Sequence, residues 1–536
     1  MSLRLTQSHP RLLALLGSAG LLCTATAAIP AEGGADTDAA QKCQALADLP
    51  LAEGKVIEAK ITQPGDSFPS DLPIFISPER LPIPAGICRV RLQLSGAEGS
   101  SIRAELWLPL TREWNGKMVE AGNGGFGGGL SDPMITMRHA VRRGYAAAGN
   151  DMGHFADDPS WFAREPAVTD YAWRADRVTS LATRKVLSAF YGKPARLHYF
   201  EGCSSGGRQA LMAANAFPQD YDGIVAGAPV SVLADSIAQW AWQQQLIAQT
   251  GARPDMRDLQ MVGAAAIAQC DADDGLKDGL ISDPQSCHFD PAKLQCRAGQ
   301  SDQCLTPEKV AFLRKVYRGP GAAEGIDGIP GLPPGAEAML DGWHHWITKP
   351  DARDGELAQG MIGRMMLRDQ TWTFDEFDLA RDLPQIRNWF AAFVSSPIDL
   401  APFAAHGGRV VTYHGWADAG ANPNLSVRMW DRLVAQLGRA QTDEALALFM
   451  VPGLSHCAGG PGPDGFQMLD ALDAWRDRGV APQSVIGRWQ SSTPYAEVLD
   501  LPPGPITAER PICRYPLKAK WDGNGDPKKA ASFTCG

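Results

Sequence analysis

The stretch ARLHYFEGCSSGGRQALMAANAFP, residues 195–218, decides the fold. Its first part, ARLHYFEG, reads as a strand, and its last part, GGRQALMAANAFP, reads as a helix. The turn between them holds Gly202-Cys203-Ser204-Ser205-Gly206, a G-x-S-x-G pattern. A strand-to-helix turn this sharp tolerates only small neighbours, and it projects the serine Oγ at the end of the sheet. The helix behind it aims free N–H groups and the positive end of its dipole at the same place, which favours a developing oxyanion. A Gly/Ser-rich turn without chemistry has the same composition, so the placement between strand and helix makes Ser204 a candidate nucleophile. The residue before it is Cys203, a reactive type beside a nucleophile, and it asks for a reason.

Outward from the turn, short apolar strands alternate with helical stretches. SIRAELWLPL, GKMVEAGNGG, RRGYAAAGND and YDGIVAGAPV read as strands with their loops, and RADRVTSLATRKVLSAFYG as an amphipathic helix. Strands alternating with helices imply βαβ units and a mostly parallel sheet. The rhythm breaks between residues 231 and 400, which hold clustered cysteines and Asp/Gly loops, and resumes with GGRVVTYHGWAD, SVRMWDRLVAQLG, ALALFMVPG and FQMLDALDAWRDRG. The expected fold class is α/β, an α/β-hydrolase fold built from residues 29–230 and 401–536. Residues 231–400 form an inserted lid over the carboxyl ends of the strands, where such sheets bind ligands.

A hydrolase of this plan supplies an acid and then a histidine in chain order. Asp418 follows the strand VVTYHG, and His456 follows ALFMVPGLS, so both fall at the carboxyl edge. His414 competes with His456 but precedes Asp418, and Glu201 is the alternative acid. Cys203 now finds a partner, because Cys457 follows His456. If nucleophile and base meet, their neighbouring cysteines come close, and a Cys203–Cys457 disulfide clamps the two catalytic loops. Its oxidised sulfur is no competing nucleophile, since only a thiolate attacks. The oxyanion donors are expected at the N–H of Ser205 and in the loop AGNGGFGGGL, at Gly125 with Gly124 as the neighbouring alternative.

The bulk composition bounds the rest. The chain has 536 residues, 44% hydrophobic and 21% charged, with a net charge of −10. That balance offers no basic patch for nucleic acid. Arg4 and Arg11 precede the apolar run LLALLGSAGLLC, and Ala25-Thr26-Ala27 makes a small-residue cleavage site. The run is short of the ~20 residues a membrane span needs. Residues 1–28 therefore read as a signal peptide, with a secreted or periplasmic mature chain and no membrane anchor after cleavage. Of the eleven cysteines, Cys23 lies in the leader, and an exported chain with ten others reads as a disulfide set whose connectivity counting does not give.

The C-S…D…H-C arrangement resembles the tannase/feruloyl esterase family, which also contains mono(2-hydroxyethyl) terephthalate hydrolases. The resemblance covers most of the mature chain, through GNGGFGG near 122–128, GCSSGG at 202–207, DADDGLKDGLISDP at 271–284, HGWAD at 414–418 and LSHC at 454–457. It implies the triad Ser204, Asp418 and His456 and the Cys203–Cys457 bridge. It also implies the bridges Cys43–Cys88, Cys270–Cys287, Cys296–Cys304 and Cys513–Cys535. The acidic loop suits a hard cation bound through oxygen. It is no EF-hand, since Gly275 and Ser282 stand where ligands are wanted. The resemblance implies structural calcium held by Asp271, Asp274 and Asp278 and the carbonyls of Leu276 and Leu280.

The implied substrates are small esters of aromatic acids, phenolic or terephthalic, cleaved by serine acyl transfer. Trp240, Trp242, Trp343, Trp346, Trp372, Phe374 and Phe377 are candidate pocket aromatics, and Arg364 and Arg368 candidate carboxylate partners. The narrower alternative is a mono(2-hydroxyethyl) terephthalate hydrolase. The alternative from another class is a secreted, non-catalytic aromatic-ligand-binding protein on the same fold.

Overall fold

A computed structural model describes residues 33–70, 80–320, 328–394, 398–490 and 504–536. The leader, residues 1–28, lies outside the described residues, as does part of the lid's glycine-rich run.

Nine strands form the central sheet: β1 (Gly54–Thr62), β2 (Ile87–Leu94), β3 (Ile102–Pro109), β4 (Lys117–Ala121), β5 (Ala146–Asn150), β6 (Leu197–Cys203), β7 (Gly223–Gly227), β8 (Arg409–Gly415) and β9 (Leu446–Val451). Their spatial order is β1-β2-β3-β5-β4-β6-β7-β8-β9. From β5 to β9 every pairing is parallel, in the register Ala121 opposite Glu201 and Cys203 opposite Gly227. Strands β4, β5, β7 and β9 are buried along their whole length, as parallel strands covered on both faces must be.

The expected strands are all present, but the sheet is mixed. β1, β2, β3 and β5 pair antiparallel. Sequence reading began its pattern at β3 and passed over the first two. β1 is an edge strand, half exposed and carrying Lys55, Glu58 and Lys60, so its hydrophobic signal is weak.

Helices cover both faces. Those that matter to the site are α1 (Ser131–Arg142), α2 (Ala175–Tyr191), α3 (Ser205–Ala216), α4 (Leu233–Thr250) and α5 (Arg353–Ala358). α2 ends where Gly192 takes φ 71°, the left-handed conformation that terminates a helix cheaply only at glycine. All strands of the main sheet lie outside residues 231–400, and α4 and α5 belong to that insertion. Residues 231–400 keep one small cluster of their own, Ala266, Cys270, Ile281 and Cys287, but most of their buried side chains join the sheet. Trp240, Trp343 and Phe390 from the insertion join Phe200, Ile224, Val410 and Leu448 of the sheet strands in one buried cluster. The lid is thus packed onto the catalytic half by continuous apolar contact, which fixes its inner surface over the strand ends.

All five expected disulfides are formed: Cys43–Cys88, Cys203–Cys457, Cys270–Cys287, Cys296–Cys304 and Cys513–Cys535. Among the described residues no helix is long and apolar enough to cross a membrane.

Candidate active site

β6 hands the chain to α3 through Ser204, whose φ of 61° and ψ of −123° lie outside the regions open to ordinary residues. Such strain persists only where the surroundings over-determine it. Here the neighbours are bare backbone: a Cβ on Gly202 would stand 2.7 Å from the Gly206 carbonyl, and one on Gly122 would stand 2.6 Å from Gly206 Cα. The small residues of G-x-S-x-G are therefore required twice, by the turn and by the glycine-rich loop that follows β4.

His456 Nε2 lies 2.8 Å from Ser204 Oγ and accepts its proton, while Nδ1–H donates to Asp418 Oδ2 at 2.8 Å. Asp418, three residues beyond β8, is buried and accepts the N–H groups of Gly420 (2.9 Å) and Ala421 (2.8 Å) on its other oxygen. His414 also reaches this acid. Its Nε2 lies 2.9 Å from the Ala421 carbonyl and 3.2 Å from Asp418 Oδ2, and its Nδ1 lies 2.8 Å from Ser426 Oγ. That assigns Nε2–H as donor and the ring as a buried brace for Asp418. Glu201, the alternative acid, stays in strand β6 opposite Ala121 and Val225.

Burial by itself would raise the Asp418 carboxyl, but His456 and His414 outweigh it and hold the group well below the usual carboxylate range. Burial works against a charged His456 as well. The Asp418 carboxylate overcomes it and raises the imidazole above its ordinary 6.5, with Asp341 adding and Arg353 opposing. The pair is thus tuned as a base held by a permanent anion.

The clamp meets the same point. Cys203 and Cys457, Cα atoms 6.0 Å apart, join the residue before the serine to the residue after the histidine. Cys457 also takes a positive φ, 64°.

The glycine-rich loop leaves the Gly125 N–H as a free donor among the described residues. Gly124 gives its N–H to the Asp132 carboxylate at the start of α1. The Gly125 carbonyl accepts the Ser205 hydroxyl at 2.7 Å and the Tyr171 hydroxyl at 3.3 Å. The Gly125 N–H has no protein acceptor among the described residues. The Ser205 N–H opens α3, where first-turn donors lack partners within the helix. Beside the elbow the Gly124 N–H is thus engaged by Asp132, while the Gly125 N–H is left without a protein acceptor among the described residues.

Residues 231–400 bring Trp346 against the base. The Trp346 ring meets the His456 ring edge-on at 5.0 Å, and its indole N–H donates to Asp341 at 3.0 Å. Gly420 must lack a side chain, since a Cβ there would stand 2.5 Å from that indole. Of the other candidate aromatics, Trp240 donates to the Gly420 carbonyl at 2.9 Å. Trp242, Trp343, Trp372 and Phe377 are core, and Phe374 packs on Trp372. Arg364 is exposed over the Phe162 ring, and Arg368 pairs with Glu165 at the surface. Sequence reading missed Asp132, Tyr171 and Arg353. Each is set by tertiary packing and sits in no motif.

In the acidic loop, Asp271 accepts the N–H groups of Asp278 and Gly279, Asp274 that of Leu276, and Asp278 that of Leu280. Asp278 also pairs with Arg510. Asp271, Asp273 and Asp274 have no cationic partner among the described residues, whose side chains form no ready three-ligand metal cluster. Of the expected carboxylate ligands, Asp271 and Asp274 are uncompensated and Asp278 is shared with Arg510; oxygen donors gathered in one disulfide-closed loop are of the chemical type a hard cation takes.

Residues 88–536 match the family model described as tannase and feruloyl esterase. An uncharacterized esterase of Xanthomonas campestris pv. campestris is 32% identical over 495 residues, 84% of each chain. The mono(2-hydroxyethyl) terephthalate hydrolase of Piscinibacter sakaiensis is 29% identical over 540 residues, covering 88% of this chain and 87% of that one. The crystal structure of feruloyl esterase B from Aspergillus oryzae superposes with a TM-score of 0.83 at 25% identity, over 93% of this chain and 100% of that one. With a serine elbow, a mixed sheet and a match of this extent, the chain belongs to the tannase and feruloyl esterase family and is a carboxylic ester hydrolase.

Proposed function

We propose that the protein hydrolyses small esters of aromatic acids, phenolic or terephthalic, by a serine acyl-enzyme mechanism. The observation that carries this reading is the unbroken hydrogen-bond chain Ser204–His456–Asp418 at the carboxyl end of the sheet. Ser204 Oγ attacks the ester carbonyl carbon while His456 takes its proton. The carbonyl oxygen becomes an oxyanion facing the N–H groups of Ser205 and Gly125. Collapse expels the alcohol, which takes the proton from His456 and leaves an acyl-serine ester. Water, deprotonated by His456, then attacks that ester, and His456 returns the proton to the departing Ser204 Oγ, releasing the acid and restoring the free serine. Asp418 stays ionised throughout and stabilises the imidazolium.

The aromatic acyl group is supported by the relatives' names, a feruloyl esterase and a terephthalate monoester hydrolase, and by Trp346 standing over the base. Export is supported by the leader's composition and by five disulfides, which persist in oxidising compartments. Structural calcium at the acidic loop belongs to the same reading, with Asp271, Asp274, Asp278 and the Leu276 and Leu280 carbonyls as ligands. It would neutralise the loop and take no part in the acyl transfer.

The test is turnover of methyl gallate, methyl ferulate and a terephthalate monoester by the wild type beside Ser204→Ala. Hydrolysis of at least one ester, abolished by the substitution, is expected. No turnover by the wild type, or equal turnover by the variant, would refute the proposal.

A further inference from the structure

The lid touches the oxyanion loop at two places. Gly360, just past α5, has no side chain because a Cβ there would stand 2.5 Å from the Phe126 ring. Phe126 is itself wedged against Phe162 at 5.0 Å, Trp161 at 6.1 Å and Tyr171 at 6.4 Å. About two turns earlier, Nη2 of Arg353 lies 2.9 Å from where a Cβ of Gly125 would be. Gly125 is the residue whose carbonyl is turned to Ser205 and Tyr171, and whose N–H is free. The first residue of α5 thus brings a guanidinium against the oxyanion glycine.

The charge there is little compensated. Arg353 pairs through Nη1 with Glu356 at 2.5 Å, but that carboxylate is 58% exposed, so the pair is screened by water. No protein acceptor faces Nη2 among the described residues. The adjacent Asp354 is fully buried with neither oxygen hydrogen-bonded. Burial, and then Asp418, push its carboxyl well above the ordinary range, which disfavours a charged carboxylate beside the arginine.

We propose that Arg353 is a lid-borne positioning residue of the oxyanion site, a cation fixed against Gly125 that favours negative charge on the tetrahedral intermediate. It acts through space at the oxygen the Gly125 and Ser205 N–H groups hold, in a site that Trp346 shields from water. A cation in that position stabilises the intermediate more than the neutral ester, so it serves kcat rather than binding. It also makes the reaction depend on lid docking, since α5 reaches Gly125 only while Gly360 seats Phe126 and Gly355 packs on Gln244 of α4. The same charge opposes protonation of His456, against Asp418 and Asp341, which favour it.

The proposal rests on the serine esterase reading, and the experiment separates the two. The full chain and its Arg353→Gln, Arg353→Lys and Ser204→Ala variants are assayed on methyl ferulate, neutral, and monomethyl terephthalate, anionic. Arg353→Gln is expected to lower kcat about tenfold to a hundredfold on both esters with KM little changed. Its acid limb of kcat/KM moves to higher pH, because the charge opposing His456⁺ is gone. Arg353→Lys, which keeps the charge, recovers most of the loss, and both variants melt close to the wild type. An unchanged kcat and an unmoved acid limb overturn the proposal. So does a loss confined to KM for monomethyl terephthalate, which would make Arg353 a clamp for a substrate carboxylate. Equal losses in both variants with a lowered melting temperature and an unmoved limb mean a structural role and overturn it too. Full activity in Ser204→Ala, or no turnover by the wild type, sinks the serine reading and this inference with it.

Discussion

At the scale of single residues, Asp418 and His456 set each other's charge, with His414 assisting the acid. Asp418 is ionised despite burial because two histidines and two backbone N–H groups face it. His456 is raised above 6.5 because that ionised carboxylate faces it in turn. Only neutral imidazole accepts the Ser204 proton, so activity must fall as pH drops through the raised value. The acid limb of kcat/KM is therefore expected to have its midpoint above 6.5. A midpoint at or below that would mean Asp418 does not stabilise the charged base. Ser204, Asp418 and His456 were legible in the sequence because each stands in a short motif at a strand end. The role of His414 was legible only by elimination: its position before Asp418 disfavours it as base, but the brace to Ala421 and Ser426 is a tertiary contact. Arg353 was not legible at all. Nothing in PDARDGELAQ distinguishes a solvated helix start from one lying against an oxyanion glycine.

At the scale of elements, two loops carry the base and the nucleophile, and one bond ties them. Cys203 and Cys457 close a span of 254 positions. Replacing both by alanine is expected to cost about 2–4 kcal/mol of stability and to lower kcat as the Ser204–His456 contact loosens. Thermal melting and steady-state kinetics on the double variant check this, and unchanged values in both would remove the clamp from the account. The cysteine beside each catalytic residue made this bridge readable, since each motif predicts the other. The acidic loop bears on the same elements. A Cβ on Gly453, in the turn that leads to His456, would stand 2.6 Å from the Leu280 side chain, so the loop packs directly under the base-bearing turn. Chelation with EDTA is expected to lower the melting temperature, and added calcium to restore it, with a smaller change in kcat. A melting temperature indifferent to both would show that the loop holds no structural calcium. Alternation along the chain revealed the parallel strands but not β1 and β2. β1, an exposed edge strand with charged side chains, lacks the periodic signal that buried strands carry, whereas β2 alternates apolar and polar residues and was passed over although it carries that signal.

At the scale of the whole molecule, the lid and the sheet share one core, and this is what places chemistry and its cover together. The sequence shows a break in rhythm over residues 231–400, but not their apolar continuity with Phe200, Ile224 and Val410, because such contacts join residues far apart in sequence. The consequence is a site assembled from three sources: the elbow after β6, the turns after β8 and β9, and the lid's inner face with Trp346 and Arg353. The central claim is that an acyl group passes through Ser204. Rapid quenching of the wild type with an aromatic ester in acid, followed by peptide mass spectrometry, tests it most directly. The account predicts the mass of the acyl group on the peptide containing Ser204, absent in Ser204→Ala. A wild type that turns over ester with no acyl adduct there, or with the adduct on another residue, would contradict it.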